Sequence, residues 1–550
     1  MFAAKNELFT RPSGYTISRS VRLRSSASAY FNRTPAGAGT SNKTFTYSAW
    51  VKRGSLGSIQ NLISSPNTGN SDSLRFSAAD QLEYNWQDTV IGQVTTTQVF
   101  RDPSAWYHIM FAMDTTQATA SNRFKLYING VQVTAFATAN YPAQNTVVNN
   151  TATVATKLGQ YANSSAQSFD GYMTEINFID GQALTPSSFG ETNSITGVWQ
   201  PIKYSGTYGT NGFYLNFSDN SSNTATTIGK DYSGNGNNWT PNNISVTSGV
   251  TYDSMIDSPT VSASSSNYAV INPLKVIGSV AGGNLNGTTT GTSGVAGYWF
   301  STIGVTSGKW YFETTIGTLA TNSYVGVYGD PNNAATDYAE YQLNGGTWFT
   351  TVGGSGSFSA TATTNDVLGV AVDITSGTFQ IYKNGTSLGT ITGITFTGKT
   401  WFFGALTNAA VSSAWSFNFG QRPFSYTPPS GFNALNTFNL PTPTIANGGQ
   451  NMNAVLWTGN TTTLGVTQAI TGLGFQPDFV WAKTRNQTFG HYLYDALRGV
   501  GASGSLLQSN STNAQATNGE MNSFDSNGFT VKYVDTLVLN WSSSNNVGWA

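Results

Sequence analysis

Few side chains in this sequence could carry covalent chemistry. The 550 residues include two histidines, His108 and His491, and no cysteine, which excludes thiol nucleophiles and thiolate metal sites. His108 lies between apolar neighbours in a strand-like run, so we predict a packed or hydrogen-bonded structural histidine rather than a general base. No Gly-x-Ser-x-Gly nucleophile elbow occurs.

Carboxylate spacing also argues against catalysis. Hydrolysis of a glycosidic bond needs two carboxyl groups that flank the bond. Glu83 and Asp88 are five residues apart, as are Glu175 and Asp180, and such pairs point to opposite faces of a regular strand. We therefore predict that the protein is not an enzyme and needs no cofactor.

Binding chemistry is better represented. Aromatic rings can stack on sugar rings while neighbouring amides and carboxylates bond to hydroxyl groups. Tyr84, Trp86 and Asp88 form one such stretch; the alternative is that Tyr84 and Trp86 are core-facing strand residues. A second, loop-rich stretch has the same two interpretations, namely a ligand-binding surface or residues that face the core. Its candidate ligand-binding residues are Asp330, Asn332, Asn333, Asp337, Tyr338, Tyr341 and Trp348.

The sequence could supply ligands for calcium, because calcium takes oxygen ligands. Asp114 and Asp170 are the candidates. Each is isolated in the sequence and lacks the regular spacing of a calcium loop, so neither by itself predicts a metal site.

Composition predicts the fold class. Charged residues make up 9% of the chain, where about 25% is usual, while aromatic residues reach 13% and glycines number 59. Threonine and aromatic residues suit strands, and Gly, Asn and Ser suit turns. We therefore predict an all-β protein and exclude helix bundles, coiled coils and doubly wound α/β enzymes. The 14 Trp, 26 Tyr and 32 Phe exclude intrinsic disorder.

Charge and hydropathy limit the partners. The net charge of −1 lacks the basic footprint of nucleic-acid binding. We find no run of about 18 apolar residues and no pattern of a secretory signal, so we expect no membrane insertion. A large β protein without cysteines or a signal fits synthesis in a host cytoplasm and use outside it.

Alternating apolar residues and turn signals predict individual strands. In Phe45–Arg53 the alternation places Phe45, Tyr47, Ala49 and Val51 on one face. Two Asn-Gly pairs, Asn129-Gly130 and Asn384-Gly385, lie between apolar runs and predict hairpins, since a tight hairpin turn requires residues that accept positive φ. Asn527-Gly528 predicts a further turn.

Changes in these patterns divide the chain into segments. Residues 1–19 are predicted to form an N-terminal attachment segment, 20–245 a first β domain with a C-terminal extension, and 246–266 a polar linker. Residues 267–440 form a second β domain and 441–550 a third. The strand-like pattern at the last residues suggests that the third domain continues beyond residue 550.

Positive charge is concentrated near the start. Nine basic residues and one acidic residue lie between Met1 and Arg53. We interpret them as an electropositive segment that docks on an acidic partner surface; the alternative is a strand edge protected by cations. The arginines assigned to attachment are Arg11, Arg19, Arg22 and Arg24.

The first block resembles the laminin-G, or concanavalin A-like, jelly-roll domains. The resemblance rests on Phe45–Arg53, Trp106–Ile109, Phe124–Val133 and Phe169–Ile176, and it spans roughly Ser20–Gly190. It implies two antiparallel sheets packed face to face, with a glycan or protein ligand.

The second block is similar to SPRY domains in the order and spacing of its motifs. The matching runs are Gly308–Glu313, Asp366–Ala371, Phe379–Gly385 and Asn418–Phe424. The resemblance implies a β-sandwich whose loops bind partners, with no catalytic residue among the matched positions. The predicted architecture is therefore tandem antiparallel β-sandwiches, concanavalin A-like and then SPRY-like, followed by a third β-rich domain.

The combination resembles structural proteins of marine tailed phages, often labelled tail fibres, at Ser20–Tyr30, Gly234–Asn243 and Pro477–Trp481. It implies a protein exposed on the virion that recognises host-surface polysaccharide or lipopolysaccharide. Other virion proteins are expected as partners, and a homo-oligomer is expected, with a trimer favoured. The alternatives are an architectural head decoration or neck/tail appendage protein and, third, a glycan-degrading tailspike.

We predict that deletion of Met1–Tyr15 prevents incorporation of the protein into particles, because this deletion removes part of the basic segment assigned to attachment. The measurement is the amount of the protein in purified particles. Undiminished incorporation of the shortened protein would contradict the assignment.

Overall fold

The computed structural model is built from strands joined by turns. Within the described residues the only helices are short 3-10 turns at Ser25–Ala27, Ala120–Asn122, Asn149–Thr151, Pro186–Ser188 and Gly448–Gln450. None of the helices found there is long and apolar enough to span a membrane. The predicted all-β class is confirmed. The structure describes residues 14–67, 69–290, 297–329, 337–351, 354–396, 398–407, 412–501, 505–517, 519–534 and 538–550.

The chain forms two compact units. One contains residues 1–191 and 199–441, and the other contains residues 192–198 and 442–550. The first unit holds two β-sandwiches, and the second holds the C-terminal β domain.

The first sandwich packs two eight-stranded sheets against each other. Their orders are β10-β9-β8-β3-β13-β1-β18, with β16 also paired to β13, and β11-β7-β6-β5-β4-β12-β2-β17. Strands β14 and β15 form a separate pair. In chain order the strands are β1 (Ser20–Leu23), β2 (Tyr30–Arg33), β3 (Thr44–Arg53), β4 (Gln60–Asn67), β5 (Asn70–Phe76), β6 (Gln81–Trp86), β7 (Gly92–Val99), β8 (Trp106–Asp114), β9 (Phe124–Ile128), β10 (Val131–Gln132), β11 (Phe136–Asn140), β12 (Thr156–Leu158), β13 (Gly171–Asp180), β14 (Gly190–Thr192), β15 (Trp199–Pro201), β16 (Phe213–Leu215), β17 (Thr240–Asn242) and β18 (Ser254–Met255).

The second sandwich packs two seven-stranded sheets. Their orders are β19-β22-β31-β24-β25-β26-β27 and β20-β21-β32-β23-β28-β29-β30. In chain order the strands are β19 (Ile271–Ile277), β20 (Ser279–Ala281), β21 (Asn286–Thr290), β22 (Gly297–Val305), β23 (Lys309–Thr318), β24 (Ser323–Tyr328), β25 (Tyr338–Gln342), β26 (Thr347–Thr350), β27 (Gly354–Ser357), β28 (Val367–Asp373), β29 (Thr378–Lys383), β30 (Thr386–Ile391), β31 (Trp401–Thr407) and β32 (Ser412–Asn418).

The C-terminal unit has a six-stranded sheet, β33-β41-β35-β36-β37-β38, and a three-stranded sheet, β34-β40-β39. The last strand, β41, lies inside the larger sheet, between β33 and β35. In chain order the strands are β33 (Ala454–Thr458), β34 (Thr467–Thr471), β35 (Phe479–Thr484), β36 (His491–Asp495), β37 (Ser505–Gln508), β38 (Ala516–Thr517), β39 (Met521–Asp525), β40 (Gly528–Lys532) and β41 (Asn545–Trp549).

The two predicted Asn-Gly hairpins are present, and the turn predicted at Asn527-Gly528 is centred instead on Ser526 and Asn527, because Asp525 pairs with Gly528. Asn129 and Gly130 have φ of 48° and 81°, and Asn384 and Gly385 have 50° and 79°. Both pairs connect adjacent antiparallel strands, β9 to β10 and β29 to β30. These positive φ values explain the Asn-Gly pairs, since both central residues of such a turn occupy the left-handed region.

Strand β3 is buried on both faces, which goes beyond the one apolar face that its alternation predicted. Phe45, Tyr47, Ala49 and Val51 lie in the core of the first sandwich, as predicted. Trp50, on the opposite face, is also buried because the second sandwich packs against it.

We call this contact the sandwich joint. Trp50, Trp106 and Tyr172 of the first sandwich belong to the same hydrophobic cluster as the core of the second. The Tyr172 hydroxyl donates to the Gly283 carbonyl oxygen at 2.7 Å. Gly283 has φ of 67°, and a Cβ atom there would lie 2.8 Å from the Tyr172 ring, so this position requires glycine.

Buried charged side chains form hydrogen bonds at the sandwich joint. The Arg22 Nε donates to Asp253 Oδ1 at 3.0 Å, and both side chains are fully buried. Arg22 also donates to the carbonyl oxygen of Gly282 in the second sandwich at 3.3 Å. Arg24 donates to both Asp253 oxygens, at 2.9 and 3.0 Å. Asp253 lies in the segment predicted as a linker, 246–266.

This burial corrects the prediction that Arg22 and Arg24 dock on another protein, while the assignment of Arg11 and Arg19 stays a prediction. Arg22 has no exposed surface, and the Arg24 side chain is mostly buried. Arg19 donates to Ser254 Oγ at 3.3 Å, while Arg11 lies outside the described residues. Sequence alone could not find Asp253, which is more than 200 residues away from its partners.

We predict that Asp253→Ala lowers the free energy of unfolding by about 3–5 kcal/mol, because it leaves a buried arginine without its carboxylate. Urea denaturation measures this change. Arg101→Ala is the matched control: Arg101 pairs with Asp80 but its side chain is 55% exposed, so a loss of less than about 1 kcal/mol is expected. Equal losses in the two variants would contradict the role of burial.

Candidate ligand-binding site

A pocket opens beside β13 where its pairing partner changes. Strand β1 pairs with residues 171–173 of β13, and β16 pairs with residues 176–178. The two partners leave Glu175 in the gap between them. A register shift between Thr174 and Asn177 marks a bulge at this place, and Glu175 has φ of 52°. Bulges redirect side chains, and strained non-glycine residues concentrate at functional sites.

Two tyrosine hydroxyls hold the Glu175 carboxyl group. Tyr15 donates to Oε2 at 2.8 Å, and Tyr214 lies 2.8 Å from both carboxyl oxygens. The two hydroxyl oxygens are 2.7 Å apart. This compact cluster brings together the segment before β1, the bulge of β13 and strand β16.

Burial determines the protonation of this cluster. Burial raises the pKa of Glu175 to about 7, and the hydrogen bonds from Tyr15 and Tyr214 and the charge of Lys203 only partly oppose this rise. Burial and the nearby Glu175 carboxylate raise the pKa of Tyr15 and of Tyr214, so both phenols stay protonated. The pocket therefore contains one carboxyl group that titrates near neutral pH.

The pocket has a volume of about 230 Å³. This is below the usual range for drug-sized ligands, so it suits one small ligand such as a single sugar residue. Tyrosine rings offer stacking surface, and the carboxyl, amide and ammonium groups offer hydrogen bonds. We call it the tyrosine pocket; its main lining residues are Tyr15, Glu175, Lys203, Tyr214, Asn216 and Tyr232.

The first predicted glycan stretch is not at this pocket. Tyr84 and Trp86 are buried in the core of the first sandwich, and the Tyr84 hydroxyl donates to Asn150 at 2.6 Å. This corrects the expectation that the two rings bind a ligand and agrees with the core-facing alternative. Asp88 accepts from the Ser71 backbone N–H at 2.9 Å and from the Tyr161 hydroxyl at 2.5 Å.

The second predicted stretch lies in the second sandwich. Asp330, Asn332 and Asn333 lie outside the described residues. Tyr341 is buried in the core, which corrects its assignment to a binding surface.

Three other residues of this stretch are partly exposed. Asp337 pairs with Lys399, and Tyr338 is half-buried. Trp348 packs against the core beside Phe358, with ring centroids 6.5 Å apart. These side chains have exposed surface, and none of them lines the tyrosine pocket.

The two calcium candidates accept hydrogen bonds from backbone N–H groups. Asp170 accepts from the N–H groups of Gly282 and Gly283 at 3.0 and 2.6 Å, across the sandwich joint. Asp114 accepts from the backbone and hydroxyl of Thr116 at 3.1 and 2.6 Å. Donors occupy both carboxylates, and no group of three metal-ligating side chains occurs in the part of the chain that the structure describes.

His108 is a structural residue, as predicted. It is fully buried, with Nε2 lying 2.8 Å from Ser48 Oγ and Nδ1 accepting from Trp199 Nε1 at 3.1 Å. Burial lowers its pKa to about 3, so the ring is neutral. Trp199 thus determines the tautomer, with the proton on Nε2.

Sequence reasoning missed the tyrosine pocket. Glu175 was weighed only as one half of a carboxylate pair with Asp180, whose oxygens accept backbone N–H groups from Thr40 and Asn211. The available signal was a glutamate in the middle of a strand whose neighbouring residues are largely apolar. Its tyrosine partners could not be inferred, because they are 160 and 39 residues away.

A separate aromatic surface lies on the C-terminal unit. Trp549 pairs with Trp481 across adjacent strands, and their ring centroids are 5.5 Å apart. Both rings are about one-third exposed, at 36% and 37%. Leu493 and Leu507 continue this row across the sheet. The row is a second exposed surface on which rings could stack.

Two parts of the sequence match known families. Residues 24–188 match the concanavalin A-like lectin/glucanases superfamily. Residues 447–550 match a domain of unknown function, DUF7483. The curated proteins contain no match to the chain. The first match agrees with the predicted concanavalin A-like character of the first sandwich.

Similar solved structures cover single parts of the chain. The SPRY domain of human HERC1 is 19% identical, covering 27% of this chain and 96% of that one, with a TM-score of 0.23. A putative carbohydrate binding protein from Bacteroides ovatus is 15% identical, covering 42% and 59%, with a TM-score of 0.28. A heptameric SAP-like pentraxin from Limulus polyphemus is 11% identical, covering 31% and 78%, with a TM-score of 0.24.

We predict that Glu175→Gln changes the pH dependence of stability. In the wild type the folded protein holds the proton of Glu175 up to about pH 7, whereas the unfolded chain releases it near pH 4.5. Ionisation of Glu175 therefore reduces stability as the pH rises between these values, and above them the loss stays constant. The variant does not ionise there.

The measurement is the free energy of unfolding of both proteins from pH 4 to pH 8. As the pH rises over this range, the free energy of unfolding of the variant should increase relative to that of the wild type by up to a few kcal/mol, since one pKa unit corresponds to about 1.4 kcal/mol. A difference that does not change with pH would contradict the raised pKa.

Proposed function

We propose that this protein is a non-enzymatic structural protein of a bacteriophage particle, a tail fibre or receptor-binding protein, that recognises host-surface glycan. The tyrosine pocket is the site assigned to the sugar. The observation that carries the proposal is the position of this pocket in the sandwich that matches a lectin-containing superfamily.

The chemistry of the pocket supports binding rather than hydrolysis. Tyr232, which lines the pocket, offers a ring to stack on a sugar, and Asn216 and Lys203 offer hydrogen bonds to hydroxyl or acidic groups. Glu175 is the one carboxyl group among the described lining residues, whereas glycoside hydrolysis uses two.

The surface and the expected assembly fit an attachment protein. A chain with 9% charged residues and a net charge of −1 resists adsorption driven by charge alone. A homo-oligomer, such as a trimer, anchored by other virion proteins would present several pockets at once. Several copies of a weak site increase attachment by a factor of about 10²–10⁴ without any new contact.

An architectural role as a head decoration or neck/tail appendage protein is the second candidate. The buried sandwich joint favours it, because two sandwiches that share one hydrophobic cluster form a stiff building block. A glycan-degrading tailspike is the third. It predicts reducing ends released from host polysaccharide, and we expect none.

The test is binding of the purified full-length protein to polysaccharide or lipopolysaccharide from a susceptible host. Tyr232→Ala should weaken binding roughly tenfold, because it removes one stacked ring. Tyr426→Ala is the matched control, since this partly exposed tyrosine lies in the second sandwich, away from the pocket. It should bind as the wild type does.

The double variant Trp481→Ala, Trp549→Ala separates the two aromatic surfaces. Normal binding by this variant together with loss in Tyr232→Ala assigns the sugar to the tyrosine pocket. Loss of binding only in the tryptophan variant would move the site to the C-terminal unit. No binding by the oligomeric wild type would remove the adhesin proposal and leave the architectural one.

A further inference from the structure

The end of strand β3 contains a lysine in an unusual environment. Lys52 is fully buried, and its Nζ donates three hydrogen bonds. The acceptors are Asp257 Oδ2 at 2.8 Å, Asn267 Oδ1 at 2.7 Å and the Tyr268 carbonyl oxygen at 2.7 Å. The Tyr172 ring lies 5.7 Å from Nζ. A lysine, a carboxylate and a side-chain amide therefore meet inside the sandwich joint.

Asp257 is held in place independently of the lysine. It is fully buried, and its Oδ1 accepts from Trp106 Nε1 at 2.9 Å. Burial lowers the pKa of Lys52 and raises the pKa of Asp257, while the attraction between the two groups opposes both shifts. Burial thus eases transfer of a proton from Lys52 to Asp257.

Asn267 is oriented toward the lysine. Its Nδ2 donates to the Ser104 carbonyl oxygen at 2.7 Å, which points the carbonyl end of the amide at Lys52. The electrophilic carbon, Cγ, is bonded directly to the oxygen that Nζ contacts. A buried amine, an amide carbon and an acid in this arrangement are the components of amide exchange.

We propose that Lys52 and Asn267 form an intramolecular isopeptide bond, with Asp257 as the proton-transfer group. Lys52 first passes one proton to the Asp257 carboxylate across their 2.8 Å hydrogen bond. The resulting amine attacks Asn267 Cγ, and the Asp257 acid donates a hydrogen bond to the developing oxyanion. Asp257 then carries a proton from Nζ to Nδ2. The bond between Cγ and Nδ2 breaks, and ammonia leaves. One amide replaces another, so the reaction needs no oxidant, reductant or activating group.

Two other lysines contact a side-chain amide but, within the part of the chain that the structure describes, have no acidic group paired with them. Lys157 Nζ donates to Gln160 Oε1 at 3.0 Å, and Lys43 Nζ to Asn145 Oδ1 at 3.3 Å. Neither lysine forms an ion pair among the described residues, so neither contact has a proton-transfer group. They serve as internal controls in which the amine and amide meet without the acid.

The bond would connect the two sandwiches covalently. Lys52 is the penultimate residue of β3 in the first sandwich, and Asn267 precedes β19 of the second. The bond therefore closes a loop between residues 215 apart in the sequence. The chain has no cysteine, so no disulfide can perform this role. An amide bond also resists reducing agents. This inference does not depend on the proposed function, since it concerns the joint and not the tyrosine pocket.

The experiment is mass spectrometry of the full-length protein after denaturation. The wild type should be lighter than its sequence by one ammonia molecule, and a protease digest should contain a branched peptide that joins Lys52 to Asn267. A wild-type mass equal to that of the sequence would overturn the proposal. So would a branched peptide at Lys43 or Lys157 in place of Lys52.

Variants test the roles of the residues. Asn267→Ala should abolish the branched peptide, and Asp257→Asn, which keeps the shape of the side chain, should abolish it as well. Asn145→Ala should retain it. A branched peptide that persists in Asp257→Asn would overturn the role of the acid. If a variant fails to fold, the mass and digest of the wild type still decide whether the bond exists.

Discussion

Burial of charge at the sandwich joint is the constraint on which the first unit depends. Packing the second sandwich onto β3 and β13 takes Arg22 and Lys52 completely out of water. A buried basic group without a partner costs several kcal/mol, so each must meet an acidic group within the joint as the chain folds. Asp253 and Asp257 supply these carboxylates from a single polar segment, 246–266. That segment must therefore fold back between the sandwiches.

The joint also positions the tyrosine pocket. Ile17 belongs to the hydrophobic cluster of the joint, and its carbonyl oxygen accepts from Ser265 Oγ at 2.5 Å. This contact holds the residues that precede β1. Tyr15 can then reach Glu175, which the bulge of β13 turns toward it. The packing of two sandwiches and the geometry of a small ligand site therefore share one segment of chain.

Local rules explain which expectations held. The alternation in β3 and the two Asn-Gly hairpin turns depend on residues close in sequence, and the predicted core face and both hairpins are present. Tyr84 and Trp86 show the limit of such rules. An aromatic residue on a strand has the same local pattern whether its face meets the core or a ligand, so only the position of the opposing sheet decides.

The sequence by itself determined the all-β class, the strands and their turns, because φ preferences and period-two alternation act between neighbours. The tertiary structure alone decided that basic residues near the N-terminus are buried and that Glu175 meets two tyrosines. It likewise decided that Lys52 meets Asn267, 215 residues away. Such contacts have no period in the sequence. They arise only when sheets pack and the dielectric around each charge falls.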